Sequence, residues 1–137
     1  MEKEYEFLKH TADVEFRAYG KTLNSAFANS ALAMFKAMHP GKVRSKIRTT
    51  IKIKGKDLEN LLYNFLEELL FLLDSNDFFL SKAIVKIDKE SSSLEAKIFG
   101  DLTKEYDISL QVKAVTYNSM IIKKLKGKYV CQVVLDV

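Results

Sequence analysis

The stretch that most constrains the fold of this chain is 58–73, where large apolar residues recur at helical spacing. On a helix these residues form one wide stripe: Leu58, Leu61, Leu62, Phe65, Leu66, Leu69, Leu72 and Leu73. Asp57 stands just before the stripe, where its carboxylate can accept hydrogen bonds from the unpaired amides of the first helical turn. A stripe this wide needs an apolar surface to cover it, so we expect the helix to lie flat on a β-sheet.

A second helix and a series of strands account for the rest of the pattern. Helical spacing recurs from Leu23 to Met38, with Thr22 as the expected N-cap and an end just before His39-Pro40-Gly41. Alternating apolar and polar residues, or short continuous apolar runs, predict strands in the following segments: 4–7, 14–19, 51–53, 80–87, 94–98, 108–114, 120–122 and 129–135. A polar turn at 89–93 joins two of these strands into a hairpin.

The last predicted strand, 129–135, is apolar on both faces apart from Gln132, which predicts a central place in the sheet. At 137 residues the chain fits one domain. We therefore predict a single α+β domain over residues 1–137, in which two helices pack on a mostly antiparallel sheet of six to eight strands.

The sequence predicts a protein that does not enter membranes. The apolar stretch 58–73 is interrupted by polar residues and falls short of the roughly 20 apolar residues that a membrane span needs. The first residues, MEKEYEF, are too charged for a signal peptide. The single cysteine, Cys131, cannot form an internal disulfide and lies in the apolar run YVCQVVL, so we expect it to be a small core residue. These features predict a reducing, cytoplasmic location.

Basic residues are concentrated between positions 42 and 56, although the net charge of the chain is only +4. Seven of them fall on even positions, so they share one face wherever the segment is extended: Lys42, Arg44, Lys46, Arg48, Lys52, Lys54 and Lys56. One interpretation is a solvated edge strand whose lysines discourage pairing with other sheets. The other is a surface for RNA phosphates or for an acidic partner, centred on Lys46, Arg48 and Lys52.

The residue types that commonly carry catalysis are scarce. The five glycines form neither a dinucleotide-binding motif nor a P-loop. His10 and His39 have no second histidine or cysteine at zinc-ligand spacing. A nucleophile and base formed by Cys131 and His10 is disfavoured, because Cys131 alternates with core residues among which its thiolate would be unstable.

Carboxylates are the remaining candidates for chemistry. Asp13 stands at the corner between the first two strands, Asp136 is the penultimate residue, and the chain ends on the carboxylate of Val137. If the last strand is central, the sheet holds its end in place, and carboxylates drawn together there need a cation between them. Ligands that are all oxygen suit Ca²⁺, Mg²⁺ or Mn²⁺. An Asx-turn or a cap is the alternative role for Asp13.

Four blocks of the sequence, in order, resemble the archease family. They are HTADVEFRAYGKTLNSAFANSALAMFKAM, LLYNFLEELLFLLDS, VKAVTY and the final VVLDV. In the first block a His-Thr-Ala-Asp corner leads into an aromatic-rich strand and then into an Ala-Leu-Ala-Met-Phe helix. The resemblance extends over nearly the whole chain, which makes it more specific than any single short motif.

The resemblance implies an accessory protein and not an enzyme. Archeases assist the tRNA-splicing RNA ligase that joins 2′,3′-cyclic-phosphate ends of RNA to 5′-hydroxyl ends. They promote guanylylation of the active-site histidine of that ligase and allow it multiple turnover. The resemblance therefore implies the ligase as partner, with RNA as an indirect partner.

The resemblance also implies roles for particular residues. It implies a metal site on Asp13, Asp136 and the terminal carboxylate of Val137, with calcium as the expected ion. Lys113, in VKAVTY, matches a lysine used in ligase activation, although a solvent-facing strand lysine is the alternative. His10 either orients Asp13 or only hydrogen-bonds the turn.

Two departures from the family pattern concern the partner. Asn118 follows VTY where relatives often have histidine, and residues 101–109 lack an Arg-His pair expected before the VKAVTY strand. Both departures bear on partner specificity, and neither changes the predicted metal ligands.

Two other functions stay open on the sequence. A general RNA-binding or chaperone-like module would act through the basic segment, for example beside a tRNA methyltransferase. A stand-alone metal-dependent hydrolase would turn over a phosphoester without any partner.

Overall fold

The computed structural model describes residues 3–8 and 13–137, which contain two α-helices and seven strands. The first half contains β1 (Tyr5–Leu8), β2 (Val14–Gly20), α1 (Leu23–Met38), β3 (Ile47–Lys54) and α2 (Leu58–Asn76). The second half contains β4 (Phe78–Asp88), β5 (Ser93–Leu102), a short 3-10 turn (Thr103–Glu105), β6 (Ala114–Leu125) and β7 (Lys128–Asp136).

The strands form two sheets. The first sheet has the order β1-β2-β7-β6, and the second has the order β3-β5-β4. Every pairing among the described strands is antiparallel. The predicted α+β single domain, with two helices and six to eight strands, is confirmed. The division of the strands into two sheets was not predicted.

Each helix contacts both sheets. Helix α1 packs on β2 and β7 of the first sheet and on β4 of the second, while α2 packs on β6 of the first sheet and on β3 and β4 of the second. The helices therefore bury much of their circumference, and nine of the sixteen residues of α1 are buried. The core holds a set of fully buried aromatic rings: Phe16, Phe27, Phe35, Phe65 and Phe79.

Both predicted N-caps are present. The Thr22 hydroxyl accepts from the Ser25 amide at 3.1 Å, and the Ser25 hydroxyl oxygen accepts from the Thr22 amide at 3.2 Å. The Asp57 carboxylate accepts from the Asn60 amide at 2.8 Å. Each cap satisfies an amide of the first turn that has no partner within the helix, which fixes where both helices begin.

Strand β7 is central in the first sheet, as predicted. It pairs with β2 on one side and with β6 on the other. Its six consecutive residues from Val130 to Leu135 are buried. The continuous apolar run of the sequence thus reflects a strand that is covered on both faces.

The strand predicted at 108–114 is wrong. After β5 the chain makes the short turn and then an irregular loop, and β6 begins only at Ala114. The Ser109 amide donates to the carbonyl oxygen of Met38 at 2.9 Å, which ties this loop to the end of α1. Val112 still packs into the core from the loop, so burial explains the apolar pattern without a strand.

The short strand predicted at 120–122 is part of the longer strand β6. The register of β6 against β7 shifts between Thr116 and Ile121, which lie opposite Val134 and Gln132. The polar residues in this interval therefore mark an irregularity within one strand and not a loop between two strands.

We expect Phe65→Ala to lower the free energy of unfolding by about 3–5 kcal/mol, because Phe65 is fully buried and its removal leaves a cavity. Phe71 lies on the same helix with 57% of its surface exposed, so Phe71→Ala is the matched control. The control should change the free energy of unfolding by less than about 0.5 kcal/mol. Urea denaturation measures both variants, and equal losses would contradict this packing of α2.

Candidate functional site

The register between β2 and β7 brings the two predicted aspartates to one end of the first sheet. Val14 lies opposite Leu135 in the antiparallel ladder. Asp13 directly precedes Val14 and Asp136 directly follows Leu135, so both aspartates lie at this end of the β2–β7 ladder.

Asp136 lies on the face of the first sheet that points away from the helices. Val14 and Leu135 pack into the core, and side chains of successive strand residues alternate between the faces. Asp136 is exposed, whereas Asp13 is half-buried. Arg17 and Gln132 occupy the same outer face two pairs further along, and Arg17 Nε donates to Gln132 Oε1 at 2.8 Å.

Lys113 lies beside Asp136 at this end of the sheet. Its amide donates to the carbonyl oxygen of Asp136 at 2.8 Å, and the next residue, Ala114, is the register partner of Asp136. This hydrogen bond at the end of the β6–β7 ladder fixes the backbone of Lys113, while its side chain is exposed. This places an exposed lysine at the same end of the sheet as Asp136.

Val137 continues β7 and is held by the core. Its side chain is half-buried and packs against the hydrophobic cluster. A carboxylate on this residue would therefore start from a defined position beside Asp136. We define the carboxylate end as Asp13, Lys113, Asp136 and Val137.

Glu67 of α2 binds the backbone of β6 close to the carboxylate end. This contact was not predicted from the sequence. Its Oε2 accepts from the Val115 amide at 2.7 Å. Val115 is buried and belongs to β6, the edge strand, so its amide would otherwise lack a partner from the sheet. No local signal links the two residues, because their contact depends on how α2 packs on β6.

The ligands of the carboxylate end fit a hard divalent cation, but they do not complete a coordination shell. Within the described ranges, no group of three or more His, Cys, Asp or Glu side chains is placed to hold a metal ion. The predicted ligand set is not a group of three such side chains, because it combines the two aspartates with the main-chain carboxylate of residue 137. Calcium takes six to eight oxygen ligands, so water, carbonyl oxygens or a partner would have to supply the rest.

His10 lies outside the described residues. Its predicted role, either orienting Asp13 or hydrogen-bonding the turn, stays a prediction.

The opposite end of the first sheet is basic. Around the β6–β7 hairpin, Lys124 Nζ lies 5.6 Å from the ring centre of Tyr129, and Nζ of Lys89, in the turn between β4 and β5, lies 5.9 Å from the same ring. Lys128 Nζ lies 4.6 Å from the ring centre of Tyr19. Strand β7 therefore runs from a group of lysines to the carboxylate end.

The predicted basic surface lies on the second sheet. Arg48 and Lys52 are exposed on β3, and Lys46 is exposed just before this strand. Ile51 and Ile53 of β3 point to the core side. β3 is an edge strand, in agreement with the interpretation of the basic segment as a solvated edge strand, and Arg48 and Lys52 lie on its outward face.

Cys131 is a core residue, as expected. It is fully buried, and burial raises the pKa of its thiol to about 12. Such a thiol carries almost no thiolate at neutral pH, so the structure lends no support to Cys131 as a nucleophile.

The sequence profile of the archease protein family matches residues 5–137. This chain belongs to the archease family. Among curated relatives, the protein archease of Sulfurisphaera tokodaii is 41% identical over 138 residues, which cover 98% of this chain and 99% of the relative. The protein archease of Pyrococcus furiosus is 37% identical over 141 residues, covering 98% and 99%.

Solved structures show the same fold. The solution structure of a Methanobacterium thermoautotrophicum protein superposes with a TM-score of 0.77 at 34% identity, covering 98% of this chain and 99% of that one. A crystal structure of an archease from Thermotoga maritima superposes with a TM-score of 0.63, covering 100% and 98%. Its identity of 15% makes it evidence for the fold alone.

Family membership places this archease among accessory, chaperone-like proteins of tRNA processing and not in a named enzyme family. Among the described residues, no helix is both long enough and apolar enough to cross a membrane.

The first departure from the family pattern lies in the irregular part of β6. Asn118 is exposed, and its amide donates to the Thr116 hydroxyl at 3.3 Å. Its neighbour Tyr117 stacks on Tyr63 of α2 with ring centres 4.4 Å apart, and the Tyr117 hydroxyl accepts from Asn60 at 2.7 Å. This segment is therefore anchored to α2 while Asn118 faces solvent.

We expect Glu67→Ala to lower the free energy of unfolding by about 1–3 kcal/mol, because the buried Val115 amide loses its acceptor. Hydrogen exchange should locate the effect, with faster exchange at the Val115 amide. Glu68→Ala, the next position of the same helix, is the matched control and should leave that amide protected. Unchanged exchange at Val115 in the Glu67 variant would contradict this support of β6.

Proposed function

We propose that this archease activates a tRNA-splicing RNA ligase by promoting guanylylation of its active-site histidine and by allowing multiple turnover. The observation that supports the proposal is the register of β2, β7 and β6, whose last pairs lie next to Asp13, Asp136 and Lys113 at one end of the first sheet. Family membership supports it, because these residues match the positions that the family resemblance implies. The proposed role belongs to the cytoplasm.

We further propose that Asp13, Asp136 and the terminal carboxylate of Val137 hold a divalent cation, with calcium the preferred ion. When bound, such a cation supplies positive charge that stabilises anionic oxygen atoms. Two aspartates at one end of the sheet would repel each other, and a bound cation would remove that repulsion. Because the donors from this chain are too few for calcium, the remaining positions are open to water or to oxygen atoms of the ligase.

The proposed task of Lys113 is to meet phosphate. Its side chain is exposed, and its backbone is held by the hydrogen bond from its amide to the Asp136 carbonyl oxygen. A lysine in this position can contact a phosphate oxygen of the nucleotide as a point charge. The carboxylate end would then approach the nucleotide pocket of the ligase and help to position the α-phosphate for attack by the histidine.

The alternative function is a general RNA-binding or chaperone-like module that modulates an RNA-modifying enzyme, such as a tRNA methyltransferase. The exposed basic residues Lys46, Arg48 and Lys52 favour it. The Thermotoga maritima relative is described as an archease and possible chaperone. On this alternative, the carboxylate end has no part in the activity.

The deciding experiment is single-turnover guanylylation of the ligase from the same organism, with and without this protein. We expect Asp13→Asn to reduce the stimulation about 10–100-fold, the range found when metal sites lose supporting groups. One extra residue after Val137 should do the same, because it moves the terminal carboxylate. Asp74→Asn, an exposed aspartate near the end of α2, is the matched control and should keep full stimulation.

Two results would count against ligase activation through the carboxylate end. One is the absence of any stimulation by the unmutated protein. The other is full stimulation by Asp13→Asn together with its loss in a Lys46→Gln, Arg48→Gln, Lys52→Gln triple variant, which is the outcome that the alternative function requires.

A further inference from the structure

One face of the second sheet is covered by neither α1 nor α2. Strand β5 is the middle strand, and its residues Leu94, Ala96 and Ile98 are buried on the helix side. The alternate residues point to the other side, where Glu95 and Lys97 are exposed and Phe99 is half-buried. We call this outward side of β3, β5 and β4 the open face.

Cations from all three strands of the second sheet share the open face. The register places Arg48 and Lys82 on either side of Phe99, and Lys52 and Lys86 on either side of Glu95. The exposed basic residues of this face are Arg48, Lys52, Lys54, Lys82, Lys86 and Lys97. Only the β3 members belong to the basic segment visible in the sequence, because the others depend on how the strands pair.

The open face has few acidic residues to balance these cations. Its carboxylates are Glu95, in the middle strand, and Asp88, at the hairpin end. Lys52 Nζ lies 4.0 Å from Glu95 Oε2, with both side chains well exposed, so this pair neutralises little of the field. The excess of four positive charges equals the net charge of the entire chain.

An aromatic ring lies among the cations. Lys82 Nζ is 4.9 Å from the ring centre of Phe99, and Arg48 is the register partner of Phe99 on the other side. Ile84, opposite Lys97, adds an apolar side chain that is 56% exposed. The face therefore combines a half-buried ring, over which the Lys82 ammonium lies, with further positive charge.

We propose that the open face binds single-stranded nucleic acid, with its cations on the phosphates and Phe99 stacked against a base. Surfaces for single strands combine a basic track for the backbone with aromatic rings on which bases stack. An acidic peptide would use the lysines but would gain nothing particular from the ring. The proposal rests on this face alone and is independent of ligase activation, which involves the carboxylate end of the other sheet.

The test is the binding of a fluorescently labelled oligouridine of about 12 nucleotides, within the range of known single-strand sites. Fluorescence anisotropy of the full chain is measured from about 50 to 200 mM salt, where each phosphate contact contributes a slope of about −0.7 in log K against log salt. We expect Lys82→Gln with Lys97→Gln to weaken binding about tenfold and to reduce the slope by about 1.4.

The matched control removes the same charge from another surface. Lys123→Gln with Lys126→Gln alters two exposed lysines near the β6–β7 hairpin of the first sheet. This variant should keep the affinity within about twofold and keep most of the salt slope. Equal losses in the two double variants would overturn the proposal, because binding would then follow net charge and not the open face.

A second variant tests the stacking. Phe99→Leu keeps an apolar side chain and should weaken oligouridine binding about tenfold, which is within the range for loss of one stacked base. Binding of inorganic polyphosphate, which has no bases, should be unchanged. An unchanged oligouridine affinity would overturn the proposal. So would tight binding of a polyglutamate peptide that oligouridine does not displace, since the face would then serve an acidic protein.

Discussion

The double pairing of β7 is the constraint on which the rest of the structure depends. Its ladder to β2 brings the Asp13 end of that strand to the end of the sheet where Asp136 lies. Its ladder to β6 brings the backbone of Lys113 to the same end. A slip of one residue would turn Leu135 out of the core and Asp136 into it. Because six consecutive residues of β7 are buried, such a slip is strongly disfavoured. The position of the carboxylate end is therefore fixed by the packing of other β7 residues in the core.

The parts of the fold that depend on residues close together in the sequence were predictable from the sequence. The α2 stripe and the caps at Thr22 and Asp57 are local features, and the structure confirms them. The division into two sheets depends on which strands meet, and apolar periodicity is the same for either outcome. The strand predicted at 108–114 failed because Val112 reaches the core from a loop. Alternation of apolar and polar residues indicates which residues are buried, and a buried residue need not lie in a strand.

The candidate site was predictable to a smaller extent. Asp13 and Asp136 lie near opposite ends of the chain, so no periodicity connects them, and family resemblance suggested the set. The cations of β4 and β5 had a usable signal in the predicted hairpin, since pairing across its turn places Ile84 opposite Lys97 and Lys86 opposite Glu95. The contact of Glu67 with the Val115 amide had no such signal, because it requires the packing of a helix on an edge strand.

When no cation is bound at the carboxylate end, the opposite charges at the two ends of β7 give the first sheet an electric dipole along its strands. Nine residues of extended chain separate the ends by roughly 30 Å, several times the Debye length of about 8 Å in physiological salt. Each end is therefore screened from the other, and its field acts only on a surface already close to it. A charged partner close to one end attracts or repels that end and so rotates the protein before contact. The protein then meets its partner with one particular end first.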